Sequence, residues 1–198
     1  MTEVNEYPWM VGILFRDNPK RKCGASLIST RWLVSAAHCY KNRAVEDIEA
    51  VLGEHDYSTN NETELVRMGI AEIVNHPDYD PRKKNIDLSL LKMKNTIDFS
   101  AYPLIRPVCL PTDPSHDYTA YTATVTGWGR LSSGGSVSNT LQEVNVKVLA
   151  NYVCSYNYKH LHYAITRHML CANVEGGGKD ACDGDSGNNT ALILGIKW

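Results

Sequence analysis

Short apolar runs, separated by turn-forming residues, recur along the whole chain. Between residues 144 and 148, three valines alternate with the polar residues Asn145 and Lys147. This period of two is typical of a β-strand with one buried face. Similar runs predict strands over residues 9–15, 25–29, 32–36, 50–53, 65–74, 87–93, 122–128 and 141–149.

Helical patterns are scarce by comparison. Only residues 152–158 suggest a helix, and it is a short one. Pro and Gly residues mark the turns between the strands, for example at Pro77, Pro81 and Pro114. Many short strands at regular spacing predict an all-β barrel or sandwich.

Composition narrows the class of protein. A chain of 198 residues corresponds to one domain. With 43% hydrophobic and 21% charged residues, disorder and membrane spanning are both disfavoured. The net charge of −2 gives no field that would attract nucleic acid or an anionic membrane, so neither is expected as a partner. Basic residues cluster at 20–22 and 82–84, and both clusters are predicted to be solvated loops.

Six cysteines, with no CxxC pair, argue against a zinc ribbon or a thioredoxin-like site. An even number at wide spacing suits disulfides formed in an oxidising compartment, so a secreted protein is expected. Residues 1–10 contain no apolar signal core. We therefore expect that a signal peptide has been removed or that the chain is a fragment.

Three residues form a candidate catalytic set. His38 follows an apolar run, Asp87 stands at the mouth of an apolar strand, and Ser186 lies in the Gly-rich loop 180–187. Singly, the first two have ordinary interpretations, as a structural histidine and a turn carboxylate. Together they supply what nucleophilic catalysis requires, a hydroxyl activated by a base that a third group orients.

Eleven short motifs strengthen this interpretation. They are EYPWMV (6–11), CGASLIS (23–29), SAAHC (35–39), LGEHD (52–56), HPDY (76–79), NIDLSLLK (85–92), VCLP (108–111), TGWG (126–129), LQEV (141–144), MLCA (169–172) and KDACDGDSG (179–187). In type and order they resemble the chymotrypsin/trypsin family of serine proteases. The resemblance implies a single domain over 1–198 with a double β-barrel fold. The first barrel would cover about 1–100, and the second about 118–198, incomplete at its C-terminal end.

The resemblance also implies roles for the candidate residues. Ser186 would be the nucleophile, His38 the general base and then the acid, and Asp87 the group that orients the imidazole. The backbone N–H groups of Gly184 and Ser186 would form the oxyanion hole.

Two carboxylates in the same loop gain roles in this way. Asp180 matches the carboxylate at the floor of the S1 pocket in trypsin-like members, which implies cleavage after Arg or Lys. Asp185 resembles the partner of the new N-terminal amine after zymogen cleavage. Protein or peptide substrates and protease inhibitors are the expected partners, and the protein is expected to be monomeric.

By resemblance, two disulfides are expected, Cys23–Cys39 and Cys154–Cys171. Cys182 would pair with a cysteine beyond Trp198, and Cys109 with one in a pro-region. Both are therefore expected to be unpaired in this chain.

No cofactor is required by this chemistry, but the acidic loop around 54–64 resembles the calcium loop of trypsins. Glu54, Asp56 and Glu64 are the candidate ligands, since hard oxygen ligands suit Ca²⁺. A solvated acidic loop is the alternative. Asn61 begins a glycosylation sequon in the same loop.

The chain departs from the family pattern in three places. Residues 1–3 stand where the family has an Ile-Val-Gly-Gly-like start, Asn188 and Asn189 replace Gly-Pro after the serine, and the chain stops at Trp198. We therefore expect this chain by itself to be nearly inactive. Two functions remain open, a serine endopeptidase and a catalytically inactive homologue that acts by binding.

Overall fold

Nearly all regular structure in the protein is β-strand. The computed structural model describes residues 1–17, 22–59, 63–113, 115–131, 135–161 and 164–174. One α-helix, α1, spans Asn151–Tyr158, and short 3₁₀ helices span Ala37–Tyr40, Val45–Asp47 and Lys159–Leu161. The strands of the described residues are β1 Met10–Phe15, β2 Lys22–Leu27, β3 Trp32–Ser35, β4 Ile48–Leu52, β5 Val66–Asn75, β6 Ser89–Met93, β7 Thr122–Gly127, β8 Gln142–Leu149 and β9 Cys171–Asn173.

Strands β1 to β6 close into an antiparallel barrel in the order β1-β2-β3-β6-β5-β4. The barrel closes where β4 pairs with β1, with Ile13 opposite Ala50. Closure leaves no exposed sheet edge, which suits strands rich in apolar residues. Val11, Ile13 and Phe15 of β1 are at most 1% exposed, so they form part of the barrel core.

The second sheet is antiparallel, in the order β7-β8-β9. Val146 and Val148 are buried whereas Asn145 and Lys147 are exposed, so the period-two pattern in β8 is confirmed. The predicted all-β fold class is also confirmed. Within the described residues this sheet does not close into a barrel, and 175–198 lie outside them.

One segment of the first barrel joins it to the second sheet. The carbonyl oxygen of His55 accepts hydrogen bonds from Trp128 Nε1 (3.0 Å) and from the backbone N–H of Leu141 (2.8 Å). Tyr7 and Met10 pack with Trp128 and Leu141 in a buried cluster. These contacts fix the position of the two sheets relative to one another.

The predicted helix over 152–158 is confirmed as α1. The side chain of Asn151 fastens the first turn of α1 to the loop that precedes β9. Asn151 Nδ2 donates to the carbonyl oxygens of Thr166 (3.0 Å) and Met169 (2.7 Å) in that loop. Among the described residues, α1 and the 3₁₀ turns fall well short of the length and apolar character that a membrane-crossing helix needs.

Gly12 on β1 makes room for the half-buried ring of Tyr57. A Cβ atom at this position would overlap Tyr57 Oη, and the ring cannot easily move away because it packs edge-on against Trp128, at 5.3 Å between centroids.

We expect Gly12→Ala to lower the free energy of unfolding by about 1–3 kcal/mol. Urea denaturation measures the change. Gly69→Ala on β5 is the matched control, since its Cβ would meet only the flexible side chain of Lys94. Equal losses in both variants would contradict this account.

Candidate active site

His38 lies on a 3₁₀ turn directly after β3. The turn, Ala37–Tyr40, begins two residues after the last residue of the strand, and the Cys23–Cys39 disulfide fastens it to β2. These are the two cysteines that the family resemblance pairs. The disulfide therefore holds the residue next to His38 against the barrel.

A buried chain of hydroxyl groups supports the same turn. Tyr40 Oη donates to Ser35 Oγ at 2.7 Å, and Ser35 Oγ donates to the carbonyl oxygen of Gly24 at 2.6 Å. Burial raises the pKa of Tyr40, with the bond to Ser35 acting in the opposite direction. The phenol therefore stays protonated as a donor. Sequence reasoning missed this pair. The signal available was a serine at a buried position of an otherwise apolar strand, where a hydroxyl needs a partner.

Asp87 lies between the turn that precedes β6 and the start of the strand, not in the strand itself. The predicted strand over 87–93 was too long at its start, since β6 begins at Ser89. The backbone of Lys84 and Ile86 has positive φ, 48° and 52° respectively. For a β-branched residue such as Ile86 this conformation is a real outlier and costs on the order of 1–3 kcal/mol. The tight turn places the Asp87 carboxylate beside His38.

The contact between His38 and Asp87 has two points. Asp87 Oδ1 accepts the backbone N–H of His38 at 2.8 Å, and Asp87 Oδ2 lies 2.6 Å from His38 Nδ1. A carboxylate can only accept, so Nδ1 carries the hydrogen and Nε2 of the neutral ring holds the lone pair. The two side chains remain 29% and 25% exposed, which leaves the imidazole open to a reacting group.

Burial and hydrogen bonding shift the pKa of Asp87 in opposite directions. Burial raises the pKa of the carboxyl, but the bonds from the side chain and backbone of His38 outweigh it, and the pKa is lowered. Asp87 is therefore an anion at neutral pH. It can keep the imidazole in one tautomer and stabilise a positive charge on it.

This lowered pKa makes part of the stability depend on pH. Because the pKa of Asp87 is lower in the folded chain than in the unfolded chain, its contribution is present above the unfolded value of about 3.9 and is lost as the pH falls through the folded value. We expect Asp87→Asn to unfold more easily than the native chain at neutral pH, and the gap to narrow below about pH 4. Urea denaturation of both chains across this range measures it. A gap that stays constant or widens in acid would contradict the assignment.

The remaining predicted site residues lie outside the described part of the chain. They are the nucleophile Ser186, the oxyanion-hole residue Gly184, the S1 residue Asp180, the activation residue Asp185 and the cysteine Cys182. The described residues thus bring together two of the three predicted catalytic side chains, His38 and Asp87, and the catalytic roles of all three stay predictions.

The other cysteines can be placed. Cys154 on α1 and Cys171 at the start of β9 form the second disulfide, 17 residues apart in sequence. Cys109 is free and exposed, in agreement with the expectation for this chain.

The carboxylates of the acidic loop, the predicted calcium ligands, differ in their contacts and exposure. Asp56 Oδ1 accepts from the Ser58 backbone and hydroxyl (2.7 and 2.5 Å), and Oδ2 accepts from Thr140 Oγ1 (3.0 Å). Glu54 is buried and accepts from the backbone N–H of His55, whereas Glu64 is exposed. No group of three or more His, Cys, Asp or Glu side chains within the described residues could hold a metal ion. Asn61 and Glu62 lie outside them, so calcium binding stays a prediction.

Comparisons with known proteins agree with this geometry. The trypsin family profile matches residues 1–191. The chain is 38% identical to mouse ovochymase-2 over 190 residues. The aligned region covers 94% of this chain and 30% of that protein. The chain is also 38% identical to the serine protease filzig of Drosophila melanogaster (94% of this chain, 11% of that protein) and 35% identical to the fly's serine proteinase stubble (91% and 24%). The chain thus spans less than a third of the length of these relatives. Because the profile covers nearly the whole chain and agrees with the barrel that the strands build, the chain belongs to the trypsin family of serine proteases.

Proposed function

We propose that this domain is a serine endopeptidase that hydrolyses peptide bonds after Arg or Lys through an acyl-enzyme. The observation that carries the proposal is the two-point contact between His38 and Asp87. Nε2 lies 3.7 Å from Cys39 Sγ, a disulfide sulfur with no hydrogen to donate, so its lone pair stays available to accept a proton, as the base of a Ser-His-Asp triad requires.

In the proposed reaction, the Ser186 hydroxyl oxygen attacks the scissile carbonyl carbon as its proton passes to His38 Nε2. The carbonyl oxygen becomes an oxyanion, to which the N–H groups of Gly184 and Ser186 donate. Each such donor lowers the barrier by roughly 3 kcal/mol. The C–N bond then breaks, His38 gives its proton to the leaving amine, and an acyl ester remains on Ser186. Water, deprotonated by His38, attacks this ester by the same route and releases the acid.

Asp87 supports both halves of this cycle without taking up a proton itself. Its Oδ2 holds the Nδ1 hydrogen, so the proton that His38 accepts always arrives at Nε2. Because its lowered pKa keeps it ionised at neutral pH, it stabilises the imidazolium formed at each proton transfer.

Specificity is proposed to come from Asp180 at the floor of the S1 pocket. A buried carboxylate there would pair with a guanidinium or ammonium group, and an apolar side chain would leave it without a partner at a cost of several kcal/mol. We expect peptides cleaved after Arg to be preferred over matched Phe peptides by several orders of magnitude in kcat/KM.

The test of this proposal is the Arg/Phe ratio of kcat/KM in the activated native protein and in activated Asp180→Ser. The ratio should collapse in Asp180→Ser. Asp98→Ser, at an exposed surface loop, is the matched control and should keep it. A high Arg/Phe ratio that survives Asp180→Ser would contradict the S1 assignment, and no hydrolysis of either peptide by the activated native protein would contradict the endopeptidase.

We also propose where the protein acts and how it is activated. Two disulfides among the described residues suit an oxidising, extracellular compartment and a secreted protein. We propose that it is made as a zymogen, in which Asp185 pairs with a new N-terminal amine after cleavage. Its substrates would be proteins.

A further inference from the structure

Three consecutive basic residues, Arg82, Lys83 and Lys84, occupy a tight turn between β5 and β6, and all three are exposed. The turn is built rather than loose. Asp80 and Asn85 exchange both backbone hydrogen bonds, at 3.1 and 3.2 Å. We call residues 80–85 the cationic turn.

The acidic residue of this turn faces its own backbone. Asp80 Oδ1 accepts the backbone N–H groups of Arg82 (2.9 Å) and Lys83 (3.3 Å), and the first of these bonds is the main cause of its lowered pKa. Asp80 Oδ2 lies 4.0 Å from Lys83 Nζ. Arg82 and Lys84 form no ion pair with any described residue. Asp78, just before the turn, is exposed, whereas Asp80 is half-buried. These two carboxylates stand against three cations, so the turn keeps a net positive charge.

The cationic turn lies next to the candidate site. Lys84 is three residues before Asp87, so their Cα atoms are within about 10 Å of each other. The turn is also tied to the second half of the chain, because Thr166 Oγ1 donates to Asn85 Oδ1 at 2.7 Å. Arg167 follows Thr166 in the chain and is exposed, so it adds a further cation next to the contact between Thr166 and Asn85.

We propose that the cationic turn and Arg167 bind acidic side chains of the substrate, and so make the protein prefer Asp or Glu close to the scissile bond. An extended peptide rises about 3.3 Å per residue, so a substrate side chain within three or four residues of the scissile bond, about 10–13 Å, can reach a turn that starts within about 10 Å of Asp87. A preorganised turn that carries positive charges favours negatively charged partners over neutral or positively charged ones. This inference rests on the proposed function, since the bound peptide is taken to be a substrate.

The test uses peptides with a single Arg as the cleaved residue. One peptide is neutral elsewhere, one carries two Asp residues within four positions on the N-terminal side of the Arg, and one carries them on the C-terminal side. We expect kcat/KM for one acidic peptide to exceed that for the neutral peptide by about three- to tenfold, as exposed ion pairs allow. The preference should shrink as salt is raised from 0.01 to about 0.5 M.

Two double variants separate the turn from general charge. In Arg82→Gln/Lys83→Gln the preference should fall below about twofold, since two of the pairing cations are gone. Lys94→Gln/Lys147→Gln removes the same charge from exposed positions elsewhere and should keep the preference. Cleavage of all three peptides at equal kcat/KM by the activated protein, or an unchanged preference in Arg82→Gln/Lys83→Gln, would overturn the proposal.

Binding to the Ser186→Ala protein gives a readout that does not need turnover. Fluorescence anisotropy of the same labelled peptides should show tighter binding of one acidic peptide, and Arg82→Gln/Lys83→Gln should abolish the difference. If no peptide is cleaved but this difference is present, the endopeptidase proposal fails and the acidic-peptide surface stands. If a sulfated polysaccharide binds through Arg82 and Lys83 while the peptides show no difference, the surface serves another class of partner and the proposal is wrong.

Discussion

Ser186→Ala is expected to lower kcat by about 10⁶-fold, because members of a catalytic triad act as one unit. The alanine has no hydroxyl to attack the carbonyl, so the acyl-enzyme cannot form. The rate that remains should still exceed the uncatalysed rate by about 10³–10⁴-fold, from the oxyanion hole and substrate binding alone. Steady-state hydrolysis of an Arg peptide by the activated protein measures the loss.

The unit behaviour gives this prediction its control. His38→Ala should cost about as much as Ser186→Ala, and the double variant should cost no more than either. Ser155→Ala, which removes a serine hydroxyl from the exposed face of α1, should leave kcat within about twofold of native. A Ser186→Ala protein with a tenth or more of native activity would show that another group is the nucleophile.

Asp87→Asn is expected to lower kcat by about 10⁴-fold while changing the size of the side chain very little. The carboxylate now accepts the Nδ1 hydrogen at 2.6 Å. An amide NH₂ in its place would donate to Nδ1 and move the ring hydrogen to Nε2, where it blocks proton transfer from Ser186. The charge that stabilises the imidazolium is lost as well.

Asp98→Asn is the matched control for this substitution. Asp98 also accepts one backbone N–H and one side-chain bond, both from Ser100, but it lies on an exposed loop away from His38. Its kcat should stay within about twofold of native. If Asp87→Asn loses less than tenfold in kcat with its fold intact, then Asp87 does not orient the base.

Most strands could be predicted from the sequence, because they alternate or concentrate apolar residues over at least four positions. The alternation in β8 shows this directly, since Val146 and Val148 point into the core. Strand β9 was missed by periodicity because its three residues are too few to show a period of two. The start of β6 was placed two residues too early because Asp87 and Leu88 precede an apolar run without a turn signal of their own.

The candidate site was predictable in its residue types but not in its local backbone. A histidine and a carboxylate in family motifs pointed to His38 and Asp87. Nothing in the sequence indicates that Ile86 adopts a positive φ, since β-branched residues avoid that region. The hydrogen bonds of Asp80, Asn85 and Asp87 hold the turn in this conformation. These are interactions over long and medium range, which local patterns do not encode.

The central claim is that Ser186 is a nucleophile activated by the His38–Asp87 pair. Mass spectrometry of the activated protein after treatment with a fluorophosphonate tests it most directly, because this reagent phosphonylates activated serine hydroxyls with loss of fluoride. The account predicts one adduct per chain, located on Ser186, and its loss in His38→Ala. An adduct on a different serine, or none on the folded and activated protein, would contradict it.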